Sequence, residues 1–569
     1  MARLLTAALL AVGFLSAACN RSPVPAGPAA SGPGRGGSLT ASIRSEPATF
    51  NRFAPNGNQA AVDAVTRLMH APLVRVNRAT GEAEPWLADR WTTTPDGRTI
   101  TLTLRDGVTF SDGAPFTSAD VLFTFKALYD PSTASSLASG VTVQRQPLQV
   151  SAPDARTVVV TLPAPFAPGA ALLYNLPIFP KHLLEPALNS RAFGTAWGTK
   201  TPPASMAGLG PFVIAEYVPG QRVIFARNPR YWRKDASGTT LPYLDRIVME
   251  FVTGGQDAEM LRVQAGEVDV MTVADVRPDD IAALRRLRDQ GAMQLIDVGV
   301  SVDPNTLWFN LTPGNGAVKA KPYLGRAEFR QAISYGVDRG AIVKTVYLGA
   351  AEPAHGPITS GNATWYSPDA PTFSHDPAKA RSLLAGIGLT DRNGDGALDD
   401  AKGDPVRFSI ITQGGHIRER TATMIQAQLR QIGIAVDIVS LDPPSIFGRF
   451  AKGDYESIYY GFQVSALDPA MNLDMWMSGG SGHVWNVGAP YPWEKTLDRI
   501  MLEQSAAPTL AERQQLLLEA QRIFAEHLPQ IHFVAPKVTV AVSRRVGGAV
   551  PALLDPKILW NAESLYVRP

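Results

Sequence analysis

Cysteine is almost missing from this chain: among 569 residues there is one, Cys19. An intrachain disulfide is therefore excluded, and so is a thiolate cluster for zinc or iron–sulfur. A surplus of either charge is also missing, because 53 Lys+Arg stand against 51 Asp+Glu. The resulting +2 gives no broad basic field, so nucleic acid is not an expected partner. After the first twenty residues no stretch of membrane-spanning length, roughly 20 residues, is both uncharged and continuously apolar; Thr157–Pro180 lacks charge but is broken by five prolines. Local catalytic signatures are absent as well: no GxxxxGK[ST], strand-linked GxGxxG, HExxH, GxSxG or SxxK. The eight histidines are scattered, and the nearest pair, His527 and His532, is interrupted by Pro529. These absences lower the expectation of an enzyme without excluding one, since catalytic triads are geometric rather than local.

What is present is an ordinary globular composition, 45% hydrophobic and 18% charged. At roughly 150 residues per domain the length corresponds to about three or four domain-sized units. The N-terminus combines Arg3, an apolar run from Leu4 to Leu15, and small residues up to Ala17-Ala18. These are the parts of a secretory signal. Cys19 follows at once, and a Pro/Gly/Ala-rich stretch continues to Gly37. Two readings stand for Cys19. It is either the lipidated first residue of a mature lipoprotein or incidental to a plainly cleaved signal. The lipoprotein pattern usually has leucine three residues before the cysteine, where this chain has Ser16. The stretch after Cys19 has little to bury and reads as a flexible tether.

Within the body, strand and helix patterns alternate. Thr99–Leu104 has period two, with Ile100, Leu102 and Leu104 on one face. Thr117-Ser118-Ala119-Asp120 predicts a capped helix start with Val121, Phe125 and Leu128 facing inward. Between Val406 and Ser440 the spacing predicts strand, helix and strand, with Ile425, Leu429 and Ile432 on the helix face and Gly433 as its stop. That is a βαβ crossover, which implies parallel strands. Thr509–Glu512 predicts a capping box opening a helix with Leu516, Ala520, Ile523 and Phe524 on one stripe. The fold class is α/β with mixed sheets. One further motif, Asp391, Asn393 and Asp395, matches the start of a calcium loop. Its twelfth position is Lys402 and a strand pattern follows, so it is not an EF-hand. A metal-free acidic turn and a weak calcium site are both compatible with it.

Several ordered segments together carry a resemblance. They are Glu46-Pro47-Ala48-Thr49-Phe50-Asn51, Pro85-Trp86-Leu87-Ala88-Asp89-Arg90-Trp91, Leu104-Arg105-Asp106-Gly107-Val108-Thr109-Phe110-Ser111-Asp112-Gly113, Arg227-Asn228-Pro229-Arg230-Tyr231-Trp232, Gln264-Ala265-Gly266-Glu267-Val268-Asp269 and Phe329-Arg330-Gln331-Ala332-Ile333-Ser334-Tyr335. In this order they resemble the extracellular solute-binding proteins, family 5, of bacterial ABC importers, which include dipeptide-, oligopeptide- and nickel-binding proteins. The resemblance implies a two-lobed type II periplasmic-binding-protein fold with a hinge and an extra subdomain in the first lobe. By that analogy residues 1–18 are the signal and 19–37 the lipid-anchored linker. The first lobe takes 38–303 and 535–569, with the extra subdomain near 76–207, and the second lobe takes 304–534.

The implied function is capture of a small solute (a peptide, modified peptide or sugar) and delivery to a permease and its ATPase. No cofactor or catalytic group is expected, and the protein would act as an exported monomer held to the membrane only through Cys19. A secreted enzyme, or a repurposed sensor or chaperone on the same fold, are the alternatives. Candidate ligand contacts carried over from the family are Thr49, Trp308, Asn310, His416, Arg418, Tyr460, Phe462, Gln463, Ser465, Asp468 and Trp485. Each also has a plain structural reading; Trp308 and Phe462 fit core aromatics, and Arg418 fits a solvated helix start. In the family's peptide-binding members a carboxylate in a G-W-x-x-D stretch pairs with the peptide ammonium. Aligning Gly461-Phe462 with that G-W puts Ser465 at the carboxylate position. A hydroxyl cannot neutralise a buried ammonium, so a neutral or blocked ligand is expected, with ordinary peptide as the fallback.

Overall fold

A computed structural model describes residues 33–272, 276–415, 417–462 and 466–568. Two large hydrophobic cores organise these residues. Each is built on a sheet whose apolar alternation supplies the buried face.

The first core surrounds an eight-stranded mixed sheet. Its order is Phe212–Val218, Arg222–Arg227, Arg246–Phe251, Ser38–Ile43, Val270–Met271, Val534–Ser543 and Met293–Val300, with Ala351–Pro353 added onto Val534–Ser543. Ser38–Ile43 runs parallel to both of its neighbours, and the other pairs are antiparallel. A separate four-stranded antiparallel sheet consists of Ala88–Thr93, Thr99–Leu104, Thr157–Thr161 and Gln149–Ser151. Ile100, Leu102 and Leu104 lie inward as the period-two pattern predicts, with threonines on the opposite side. Helix Ser118–Tyr129 covers that inward face. Thr117 accepts from Ala119 N–H, and Asp120 reaches back to the Thr117 N–H, satisfying donors that a helix start leaves open. Val121, Phe125 and Leu128 are buried among the same residues as the eight-stranded sheet, so both sheets share one continuous core.

The second core lies around a five-stranded sheet, ordered Ala435–Leu441, Arg407–Gln413, Ser457–Tyr460, Thr306–Phe309 and Gln530–His532. Strands Arg407–Gln413 and Ala435–Leu441 are parallel and joined by helix Ile417–Arg430, the predicted crossover. Ile425 and Leu429 are fully buried under it, and Ile432 follows in the closing turn. Gly433 ends this turn at φ +84°, where a Cβ would meet the Leu398 side chain at 2.7 Å, so glycine is required twice over. Truncating Leu429 to Ala would cost about 2–5 kcal/mol through lost burial and a cavity.

The capping box at Thr509 and Glu512 opens helix Leu510–His527 as expected. Its buried stripe differs from the predicted one. Arg513, Leu517, Ala520, Gln521 and Phe524 are buried, whereas Leu516 and Ile523 are half-buried. The reason is that Arg513 turns inward to bond a carboxylate and a carbonyl, which rotates the inner face toward it.

The chain passes between the two cores by short connections. One runs from Val300 to Thr306 and another is the single residue Phe533 between strands Gln530–His532 and Val534–Ser543; between them the chain returns briefly to the eight-stranded sheet at Ala351–Pro353.

Candidate ligand site

At one end of the five-stranded sheet the antiparallel pairing of Thr306 with Tyr460 brings together the two segments that carry predicted contacts. Residues two apart on an extended strand share a face, which places Tyr460 and Phe462 side by side. Their rings lie 6.5 Å apart; Phe462 is 5.5 Å from Trp308, and Phe447 is 5.6 Å from Tyr460. Trp308 is buried beneath, whereas Phe447 is 41% exposed, so the cluster presents aromatic surface outward. Arg418, in the first turn of its helix, lies over the Tyr460 ring at 4.2 Å from the centroid. Its Nε donates to Asn305 Oδ1 at 2.7 Å and its Nη1 to Gln413 Oε1 at 2.6 Å. The guanidinium is therefore held in one orientation by two amide oxygens and a π face. Arg418, Tyr460 and Phe462 thus form one wall, backed from beneath by Trp308.

The remaining predicted residues lie elsewhere. Thr49 is buried; its hydroxyl donates to Trp197 O and accepts from Asn51 N–H. Asn310 is buried and donates to Gly453 O. Trp485 is buried and donates its indole N–H to Glu494, which also meets His483 at 3.0 Å; this fully enclosed group anchors the start of helix Pro492–Ala506. Asp468 receives two hydrogen bonds from Arg513. His416, Gln463, Ser465 and the lipidation candidate Cys19 lie outside the described residues. In the acidic turn, Asp391 accepts from the Gly394 and Gly396 N–H groups, and Asn393 and Asp395 bond each other. Among the described residues no three His, Cys, Asp or Glu side chains converge as metal ligands.

A cavity that the sequence reading missed opens beside the Val300–Thr306 connection. Its volume is about 310 Å³, and its polar lining includes Arg52, Asp63, Arg67, Arg78, Asp303 and Asp555. Helix Ala60–Met69 supplies Asp63 and Arg67, spaced i, i+4 on one face. Asp63 Oδ2 accepts from Arg67 at 2.6 Å, and Oδ1 lies 3.0 Å from Arg52 Nη2. Burial pushes the Asp63 carboxyl up, but the Arg67 and Arg52 charges outweigh it and hold the group at about 2. A smaller cavity behind shares Arg52, Asp63, Arg67 and Arg78 and adds Arg75. The available signal was Asp63 and Arg67 within an otherwise apolar helix, Ala-Ala-Val-Asp-Ala-Val-Thr-Arg-Leu-Met.

Comparison with known proteins agrees with this architecture. Residues 82–483 match the bacterial extracellular solute-binding proteins, family 5 Middle. A probable ABC transporter-binding protein of Deinococcus radiodurans is 27% identical over 505 residues, covering 84% of this chain and 83% of that protein. The oligopeptide-binding protein AppA of Bacillus subtilis, solved with a nonapeptide, superposes with a TM-score of 0.74 at 22% identity, covering 94% of this chain and 100% of that one. The periplasmic binding protein MelB of Agrobacterium fabrum C58, solved with stachyose, gives 0.75 at 23% identity, covering 94% and 85%.

Proposed function

Because this chain belongs to the bacterial extracellular solute-binding proteins, family 5, we propose that it captures a solute between its two sheet-bearing bodies and delivers it to the permease of an ABC importer. The observation that carries the reading is the division into two sheet-bearing cores between which the chain crosses by short connections. Such a joint lets two rigid bodies open and close as units. A ligand touching both bodies in the closed form favours closure by its additional contacts there. No covalent step is involved.

In this reading the first lobe takes 38–303 and 535–569, with the extra subdomain near 76–207, and the second takes 304–534. The hinge is the Val300–Thr306 connection together with Phe533. Ion pair Arg420–Asp279, at 2.7 Å, links the lobes across their mouth. Arg418, Tyr460 and Phe462 form the second lobe's wall of the cleft, with Gln463, Ser465 and His416 next to them in the chain. Thr49, Asn310, Trp485 and Asp468 are assigned to the framework, since their polar atoms are engaged inside the protein. A wall of aromatic faces with one fixed guanidinium suits an amphipathic solute, such as a modified peptide or a sugar. The relatives solved with a nonapeptide and with stachyose support that range. The protein is exported and tethered to the membrane by lipidated Cys19.

The test is mass spectrometry of small molecules released when the purified protein is denatured. A recurring solute at near-equimolar amount is expected. Complete absence of solute, together with turnover of any offered compound, would overturn the reading.

A further inference from the structure

Arg78 stands out from the other arginines of the cavity beside the Val300–Thr306 connection. Arg52 and Arg67 share Asp63, and each has further acceptors: Arg67 donates to Asn175 Oδ1 at 2.7 Å, and Arg52 to Gly57 O and Asn58. Arg75, in the cavity behind, pairs with Glu84 and Glu563. Arg78 is 8% exposed and lines both cavities, yet among the described residues it makes no hydrogen bond and no ion pair. Its backbone is fixed in the turn of a hairpin, where Gly81 N–H donates to Asn77 O and Asn77 N–H to Glu82 O.

The lining of the larger cavity carries three guanidinium groups and three carboxylates, so the imbalance is one of pairing rather than of total charge. Asp63 is taken by Arg52 and Arg67, Asp555 accepts from Lys557 Nζ at 2.9 Å, and Asp303 accepts from Ser301. Burial, followed by the neighbouring Arg67 charge, lowers the Arg78 guanidinium to about 10 against the opposing pull of Tyr174, Asp63 and Asp555, none of which bonds it directly, and it stays charged at neutral pH. A buried cation whose N–H groups have no direct acceptor is costly even with carboxylates nearby, and arginine does not escape by giving up its proton.

The geometry points to an anion-binding subsite, in which Arg78 receives a carboxylate or phosphate group of the captured solute. This rests on the solute-capture reading above and extends it. A guanidinium fork matches either group with two parallel N–H···O bonds. The cavity borders the connection between the two bodies, since Asp303 lines it, and Asn305, two residues on in the same connection, accepts from Arg418. The expectation of a neutral or blocked ligand is thereby narrowed: it concerns the absent ammonium partner, whereas this subsite calls for a negative group.

The experiment uses full-length protein stripped of solute by unfolding and refolding, with calorimetry at constant ionic strength. The probes are succinate, inorganic phosphate and the neutral succinamide. Binding of succinate or phosphate without succinamide is expected, and the preferred anion identifies the group. Arg78→Gln should weaken anion binding about 10- to 100-fold, the range of a lost charge-assisted hydrogen-bond pair. Arg78→Lys should recover part of it. Ligand-free Arg78→Gln should melt no lower than the wild type, because it removes a buried charge that has no direct hydrogen-bond acceptor. Equal binding of succinamide, undiminished anion binding by Arg78→Gln, or a lower melting temperature of that variant with binding intact would each overturn the subsite. Release of a solute with no acidic group from the native protein would overturn it while leaving solute capture standing. Anion binding that depends on Arg78, in a protein that neither carries a solute nor closes, would uphold the subsite and reject capture.

Discussion

Arg513 grips Asp468 with both arms of its guanidinium: Nη1 lies 2.9 Å from Oδ2 and Nη2 2.5 Å from Oδ1. The same arginine lies over the Trp365 ring and donates to Gln504 O, and Asp468 also accepts from Ala470 N–H. Both oxygens of this carboxylate are thus engaged within the protein. Asp468→Asn is expected to destabilise the protein by about 2–3 kcal/mol, since it strands a buried guanidinium. Solute affinity should change little. Urea unfolding and calorimetry on the same variant check both halves, and lost affinity at unchanged stability would make Asp468 a ligand anchor.

The ligand's amino end follows from that engagement. N-acetylation of a peptide pool is expected to leave its binding essentially unchanged, because no carboxylate is assigned to receive a free ammonium. Calorimetry with the free and the acetylated pool decides; binding of the free pool alone would return the protein to the peptide-anchoring group.

Closure is measurable in solution. Added solute should lower the radius of gyration seen by X-ray scattering. Arg420 and Asp279 are both about half exposed, so their pair is worth no more than ~1 kcal/mol. Asp279→Arg replaces that attraction by repulsion across the mouth and should weaken solute binding about two- to fivefold. Tight binding with an unchanged radius would reject the hinge.

Anchoring is tested in cells. Cys19→Ser should move the protein from the membrane fraction to the soluble one. A wild-type protein already soluble, with its mature N-terminus beyond Cys19, would show that the cysteine is incidental.

Acid sensitivity follows from two buried histidines. His70 packs against Phe179 and Trp197 with both ring nitrogens unbonded, and burial lowers it from 6.5 to about 3. His532 is likewise lowered to about 3, by burial and then by Arg339 and His355. Below pH 6.5 the unfolded chain binds protons that the folded chain refuses. The stability contributed by the neutral rings is thus complete above 6.5 and is lost as pH falls toward 3. The slope is up to ~1.4 kcal/mol per pH unit for each ring. Denaturant unfolding between pH 7.5 and 4.5 should show this decline, made shallower by His70→Gln; a flat profile would contradict it.

Local patterns were legible where one face decides burial. Thr99–Leu104, the Thr117 cap and the crossover from Arg407 to Leu441 all follow from alternation, helical spacing and a glycine stop. The site was legible only in part. Tyr460 and Phe462 are neighbours in sequence, but their association with Trp308 and Arg418 depends on strand pairing across about 150 residues. The arginine cavity is less local still: its lining comes from a helix, a hairpin turn, the connection and the C-terminal segment, so no window of sequence contains it. The internal partners of Asn310 and Trp485, a backbone carbonyl and the Glu494 carboxylate, were not legible, because a hydrogen-bonding side chain looks the same in sequence whatever it bonds.

The placing of strand Val534–Ser543 has a consequence for biogenesis. It lies between Val270–Met271 and Met293–Val300, so the eight-stranded sheet keeps a gap until nearly the last residues have been made. A strand pairing delivered that late has a long loop to close and forms slowly. Synthesis therefore ends before the first core can lock. A chain exported as unfolded polypeptide would gain time from this strand order, because its first core could close only after the last strand had arrived.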